Sequence, residues 1–279
     1  MAAYAASFGS HSAWEGLQPA WADRLRRFEA ISVRDENSWW MLKHALGLEP
    51  ALVLDPCLQF PGAIDRVQNA KCKVQSEADR ISSGRVERRR GLLEPYVAVY
   101  GHSFSPAFAA GVRRWARSRG LPLVSVGYRN PWADGQWLTA GPHDFAQCIA
   151  QAEAVATNFF HGCVFSLVHA RPFVCEPSTY RSIKVQDLMR TLGGERHLVS
   201  AETPDTAYDA ALGATLNPAI LRRIDDLRQA SEAYLNMALG EGYSAGEAPA
   251  ARAAVLPPQA VEAGSSNSIV EAGVSGAGV

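Results

Sequence analysis

Three short stretches of the sequence pair chemically capable residues with positions that a ligand can reach. The first is Ala156-Thr157-Asn158-Phe159-Phe160-His161-Gly162. Its apolar start reads as a buried strand ending at Thr157, and a helix opens near His161. In open parallel sheets, ligands bind at the carboxyl ends of the strands. A helix N-terminus adds free N–H groups and a positive dipole end, which favour anions. A histidine placed there can hold an anion or pass a proton. Gly162 removes a side chain that would keep a ligand at a distance. The plainer alternative is a core histidine satisfied by a backbone partner.

The second stretch is Val33-Arg34-Asp35-Glu36, at a strand exit and the mouth of a helix. Arg34 there can grip a carboxylate or phosphate through two parallel bonds. The competing reading is an ion pair with Asp35, Glu36 or a neighbour. The third is Arg181-Ser182-Ile183-Lys184, which follows an apolar strand and opens another helix. Two cations at such a transition suit a phosphate, and ordinary surface charge is the alternative. His102-Ser103 also follows a strand. The remaining histidines, His11, His44, His143, His169 and His197, have no metal-site spacing, and there is no HxH, HExxH, GxSxG or Walker-type loop.

The elements that must position these residues follow from apolar periodicity. Ile31–Val33 reads as a strand, with Asp35 or Asn37 capping a helix that carries Trp39, Leu42 and Leu46 and closes at Gly47. A strand at 51–54 stops at Asp55-Pro56. From Tyr96 the pattern is regular: strand 97–100, a helix capped by Ser105 with Pro106 at its first position, strand 121–126, a looser stretch from Tyr128 to Pro142, and helix 144–151. Strand 154–157, helix 160–170, strand 172–175 and helix 183–192 follow. Such alternation predicts an α/β fold with parallel sheets covered on both faces. Asn217-Pro218 opens a long helix whose apolar face carries Ile220, Ile224, Leu227 and Tyr234, and which docks on the body or crosses to a neighbour.

Composition narrows the class. With 279 residues and 47% hydrophobic residues, a sizeable core is available. A net charge of −1 argues against a general nucleic-acid binder. No uninterrupted apolar run approaches the ~18 residues of a membrane span. The five cysteines, Cys57, Cys72, Cys148, Cys163 and Cys175, form no CxxC pair and read as free thiols in a reducing compartment. Between Lys71 and Arg90 there are seven basic and three acidic residues, which reads as a solvated linker. The Ala-, Gly-, Ser- and Pro-rich stretch from Gly242 to Val279 reads as a disordered tail.

At these residues the sequence resembles the polysaccharide pyruvyl transferase family. The stretches that carry the resemblance are Tyr4 to Gly9, Phe28 to Glu36, Val53 to Pro56, Asp144-Phe145, Ala152 to Gly162, Arg171 to Val174 and Arg181 to Leu192. Ser-Val-Arg-Asp-Glu and Phe-His-Gly are the most specific. The resemblance implies two Rossmann-like halves facing a cleft, as in two-domain (GT-B-like) glycosyltransferases. It implies pyruvate transfer from phosphoenolpyruvate to sugar hydroxyls of a polysaccharide or its lipid-linked precursor, commonly as a ketal. His161 would be catalytic and Arg34 would hold the donor. Lys184, Arg181, Asn158 and Gly162 would complete the substrate site. Phosphoenolpyruvate is a substrate here, and neither a cofactor nor a metal is implied. The implied location is cytoplasmic, at the membrane surface where the acceptor is lipid-linked.

Phe159, two residues before His161, departs from the family pattern. Members also normally carry several βα units before the Tyr-Ala-Ala-Ser-Phe-Gly strand, whereas Met1 lies almost on it. The expectation is therefore a remnant of the first half at 1–58, a linker at 59–94, a complete second half at 95–241 and a tail at 242–279. Two rival readings remain. One is a nucleotide-sugar glycosyltransferase, for which Glu176 is the candidate ribose-binding carboxylate. The other is a non-catalytic remnant that pairs with a full-length enzyme.

Overall fold

The computed structural model describes residues 1–65, 75–76, 95–178 and 182–240. The chain begins with β1 (Ala2–Ala6), α1 (Pro19–Leu25), β2 (Ala30–Val33), α2 (Glu36–Leu46), β3 (Ala51–Leu52), α3 (Pro56–Gln59) and α4 (Pro61–Asp65). After β4 (Gln75–Ser76) come β5 (Val97–Tyr100), α5 (Pro106–Ser118), β6 (Leu123–Val126), β7 (Gly135–Trp137), α6 (Pro142–Gln151) and β8 (Ala154–Thr157). The remainder is α7 (Phe160–Val168), β9 (Phe173–Cys175), α8 (Ser182–Leu192), α9 (Asp205–Gly213) and α10 (Pro218–Leu239). The strands form two sheets. One is parallel in the order β1-β2-β3; the other runs β4-β7-β6-β5-β8-β9 and is parallel except where β4 meets β7.

The second sheet is buried on both faces, which is why its strands are nearly continuous apolar runs. Side chains alternate across it. Val97, Val99, Ala154 and Ala156 face α5 and α9 through Phe108, Val112, Trp115, Tyr208 and Leu212. Ala98 and Val155 face Cys163, Val164, Leu188, Met189 and Ile224 of α7, α8 and α10. Capping follows sequence chemistry: Asp35 accepts from Ser38 N–H, and Gly47 ends α2 at φ +70°. Ser105 accepts from Phe108 N–H with Pro106 behind it.

Some elements depart from the sequence reading. The looser stretch contains β7, whose three residues are too few to show a period. Pairing with β6 (Val126 against Trp137) and the Gln136 amide donating to the Asn130 carbonyl at 2.7 Å hold it in place. The strand at 51–54 ends after Leu52, and α9 is an additional helix. In α9 only Tyr208, Ala211 and Leu212 are buried, a weak amphipathic signal. Of the linker expected at 59–94 the structure describes 59–65, where α4 forms, and 75–76, where β4 pairs with β7; the rest of it and the tail from 242 lie outside the described residues.

The long helix α10 ties the two sheets together. Ile220, Ile224 and Leu227 sit in the core of the second sheet. One to two turns later Ser231 Oγ accepts from Leu54 N–H at 2.9 Å, and Tyr234 OH donates to the Ala3 carbonyl at 3.0 Å. Arg228 donates to the Leu58 carbonyl at 2.9 Å. A second tie joins α2 to α8: Asp187 accepts from Asn37 N–H at 3.1 Å, and Arg190 pairs with Glu36 at 3.2 Å.

Candidate active site

The site lies where the strand exits of the first sheet meet the β8–α7 turn. Chain direction changes at Arg34, whose N–H still donates to the Ala6 carbonyl, while Asp35 caps α2. Asp55 plays the same part after β3. Its Oδ1 caps α3 by accepting from Cys57 N–H at 2.9 Å, and its Oδ2 accepts from Arg34 Nη1 at 2.7 Å. The Asp55 side chain is 2% exposed and that of Arg34 21%. Arg34 Nε is buried and has no partner. The Arg34 guanidinium carbon stands 5.1 Å from the centre of the Phe160 ring, and Lys184 Nζ stands 5.9 Å from the same centre. Two cations thus stand within cation–π range of one phenyl ring.

His161 follows Phe160 and is exposed, so the core-histidine alternative falls. Desolvation pushes its pKa down. The Asp55 carboxylate opposes that shift, and Arg34 and Lys184 reinforce it. The ligand-free imidazole is therefore predominantly neutral near pH 7. α7 opens without a side-chain cap, so its first N–H groups add to the positive potential. Cys57 is no nucleophile here, since burial and Asp55 raise its pKa to about 11.

Arg34, His161 and Lys184 therefore come together. The ion pair expected for Arg34 also exists, with Asp55 as the partner, and it leaves Nε free. Asn158 is 2% exposed and turned toward the β5 exit, where its Nδ2 donates to the His102 carbonyl at 2.6 Å. Gly162 has a packing role: a Cβ there would meet Thr157 Oγ1 and lie 2.7 Å from Thr157 Cβ. Arg181 lies outside the described residues. Glu176 is engaged structurally, its carboxylate accepting from both the N–H and the hydroxyl of Ser105 at the start of α5. Asp55 and Phe160 were not assigned a part from sequence. The sequence signals at Asp55 are an Asp-Pro pair at a strand end and its place in the Val53 to Pro56 stretch that carries the family resemblance. Among the described residues no group of three or more His, Cys, Asp or Glu side chains is arranged to hold a metal. No described helix is long and apolar enough to cross a membrane.

Two sheets joined by a crossing helix, with three basic side chains gathered at strand-to-helix turns, make this an α/β protein with a cluster of basic groups at its strand exits. The family model described as polysaccharide pyruvyl transferase matches residues 1–178, and the chain belongs to that family. No curated protein matches the chain closely enough to count as a relative. Among solved structures, one described as a UDP-N-acetylglucosamine 2-epimerase from Listeria monocytogenes aligns with a TM-score of 0.40 at 12% identity. It covers 85% of this chain and 61% of its own. Os79 from O. sativa, solved with UDP and deoxynivalenol-3-glucoside, aligns with a TM-score of 0.35 at 10% identity, covering 53% and 42%. The chain thus spans less than two thirds of the length of either structure.

Proposed function

We propose that the protein transfers pyruvate from phosphoenolpyruvate to two hydroxyls of a saccharide, forming a ketal. The observation that carries this reading is the set Arg34, Lys184 and His161 around Phe160, with Arg34 Nε buried and unpaired. Phosphoenolpyruvate carries a carboxylate and a phosphate, which need fixed cations and helix-end N–H groups. Arg34, part-exposed beyond its bond to Asp55, meets the carboxylate from the solvent side, while Lys184 and the opening of α7 face the phosphate. The space beneath Arg34, lined by Asp55, Phe160 and Leu188 among others, is about 10 Å³, room for one water. The donor therefore approaches from the solvent side, past His161.

His161 takes up a proton with the anionic donor and delivers it to the methylene carbon. The oxocarbenium-like centre is attacked by one sugar hydroxyl, phosphate leaves, and a second hydroxyl closes the ketal. The two hydroxyl protons balance the one added to carbon and the one that leaves with phosphate. General acid catalysis of this kind contributes on the order of 10²–10⁴-fold. The test is phosphate release from phosphoenolpyruvate with and without a polysaccharide acceptor, alongside NMR detection of the ketal methyl group. Acceptor-independent release with no ketal methyl would remove the proposal.

A further inference from the structure

The second sheet winds outward in both directions from β5, through β6 and β7 on one side and β8 and β9 on the other. Its topological switch point is the crevice at the carboxyl ends of β5 and β8, the place where open α/β sheets take ligands. Four aromatic rings converge there from three different strand exits. Tyr100, His102 and Tyr128 each meet the Phe159 ring at centroid distances of 5.1, 5.3 and 5.1 Å and at angles of 89°, 84° and 85°. His102 and Tyr128 stand 5.3 Å apart. The cluster runs from the core to the surface: Tyr100 also packs on Phe145 at 4.2 Å, the other rings are half-buried, and Tyr128 is 37% exposed with Ser103 exposed beside it.

The cluster is held rigid at a cost. Asn130, 3% exposed, donates to the Gly101 carbonyl at 2.9 Å, and Asn158 donates to that of His102 at 2.6 Å. Ser125 OH donates to the Tyr128 carbonyl at 2.6 Å. Gly101 sits at φ +143°, where a Cβ would strike Asn158 Oδ1 and Phe104. Ser103 is held at φ +58°, with its hydroxyl 2.9 Å from His102 Nδ1. A non-glycine residue in that region is strained and persists where its surroundings over-determine it, commonly at ligand sites.

We propose that this cluster is the platform for a pyranose ring of the acceptor saccharide. The inference rests on the pyruvyl-transfer reading above. No ammonium, guanidinium or carboxylate is among the four rings, in contrast to the Arg34 and Lys184 pair at Phe160. The platform's aromatic surfaces suit the axial C–H face of a sugar, and its imidazole, serine and phenol edges suit equatorial hydroxyls. Its place is also right. Phe159 joins the platform, Phe160 carries the two cations and His161 follows, so one turn sets acceptor beside donor.

The test is saturation-transfer difference NMR on the full chain with methyl β-glucoside, β-galactoside and β-mannoside, and ³¹P line broadening for phosphoenolpyruvate. Wild type should saturate the axial ring protons of at least one glycoside. Tyr128→Ala should lower that signal about tenfold, Tyr128→Phe should keep it within about threefold, and neither should alter ³¹P broadening. Arg34→Lys should weaken ³¹P broadening and leave the glycoside signal. Absence of glycoside saturation in wild type, an unchanged signal in Tyr128→Ala, or displacement of the glycoside by uridine would overturn the platform. Loss of the donor signal alone, with glycoside binding intact, would count against phosphoenolpyruvate and leave the platform standing.

Discussion

Replacing Arg34 by alanine should destabilise the protein through Asp55 rather than through any ligand. Asp55 is 2% exposed, one oxygen is satisfied by Cys57 N–H, and the other relies on Arg34. Breaking a buried pair by removing one partner costs about 3–5 kcal/mol, because a charge is left uncompensated. Arg34 is 21% exposed, so water reaches part of the vacated space, and about 2–3 kcal/mol is the figure to expect. At about 2–4 °C per kcal/mol for a chain of this size, Tm should fall by about 4–12 °C. Asp55→Asn removes the charge while keeping a good cap for α3, so Arg34→Ala with Asp55→Asn should regain most of the loss. The assay is thermal unfolding of wild type, both single variants and the double. If the double variant unfolds at the sum of the single losses, Asp55 does not depend on Arg34, and the electrostatic description of the site fails.

Donor binding should take up a proton at His161, whose pKa is depressed in the free protein by desolvation with Arg34 and Lys184 adding to it. Affinity should rise as pH falls, and calorimetry in two buffers of different ionisation enthalpy should give different heats; equal heats would remove the histidine from the binding step. Burial lowers the His197 pKa to about 4, so that group favours the folded state above about pH 6.5 and ceases to as pH falls toward 4. Desolvation raises Asp187 to about 6, so its contribution runs the other way, improving as pH falls through 6. Each is worth about 3 kcal/mol, so wild-type stability should vary little from these two. His197→Gln should become more stable between pH 6 and 4 and Asp187→Asn less, as chemical denaturation would show; matching pH profiles in the three proteins would refute this. Gly162→Ala should cost about 1–3 kcal/mol by driving a Cβ into Thr157, measured by the same unfolding assay, and an unchanged midpoint would show that the turn yields.

Much of the scaffold was legible because its signals are local. Asp35, Ser105-Pro106 and Asn217-Pro218 each open a helix where cap chemistry places it. β5 and β8 are doubly buried strands and read as apolar runs. β7 was not legible, since a three-residue strand takes its identity from the neighbour it pairs with. In the site, Arg34, His161 and Lys184 stood out as polar groups at strand-to-helix turns. Asp55 was hidden because its capping role is visible locally and its pairing with Arg34 spans 21 residues. For Gly162 and Asn158 the packed structure adds neighbours that the sequence hides, Thr157 for the first and the His102 carbonyl for the second. Such contacts exist only once α7 and β5 are packed.

The most direct measurement is pyruvyl transfer itself, comparing wild type with Arg34→Lys and His161→Gln at saturating phosphoenolpyruvate and acceptor. Wild type should release one phosphate per ketal formed. Arg34→Lys keeps the charge but loses the planar fork, and His161→Gln loses the acid; each should reduce transfer by on the order of 10²-fold or more. Turnover of both variants at the wild-type rate would show that the cationic cleft between the sheets is not where the chemistry happens.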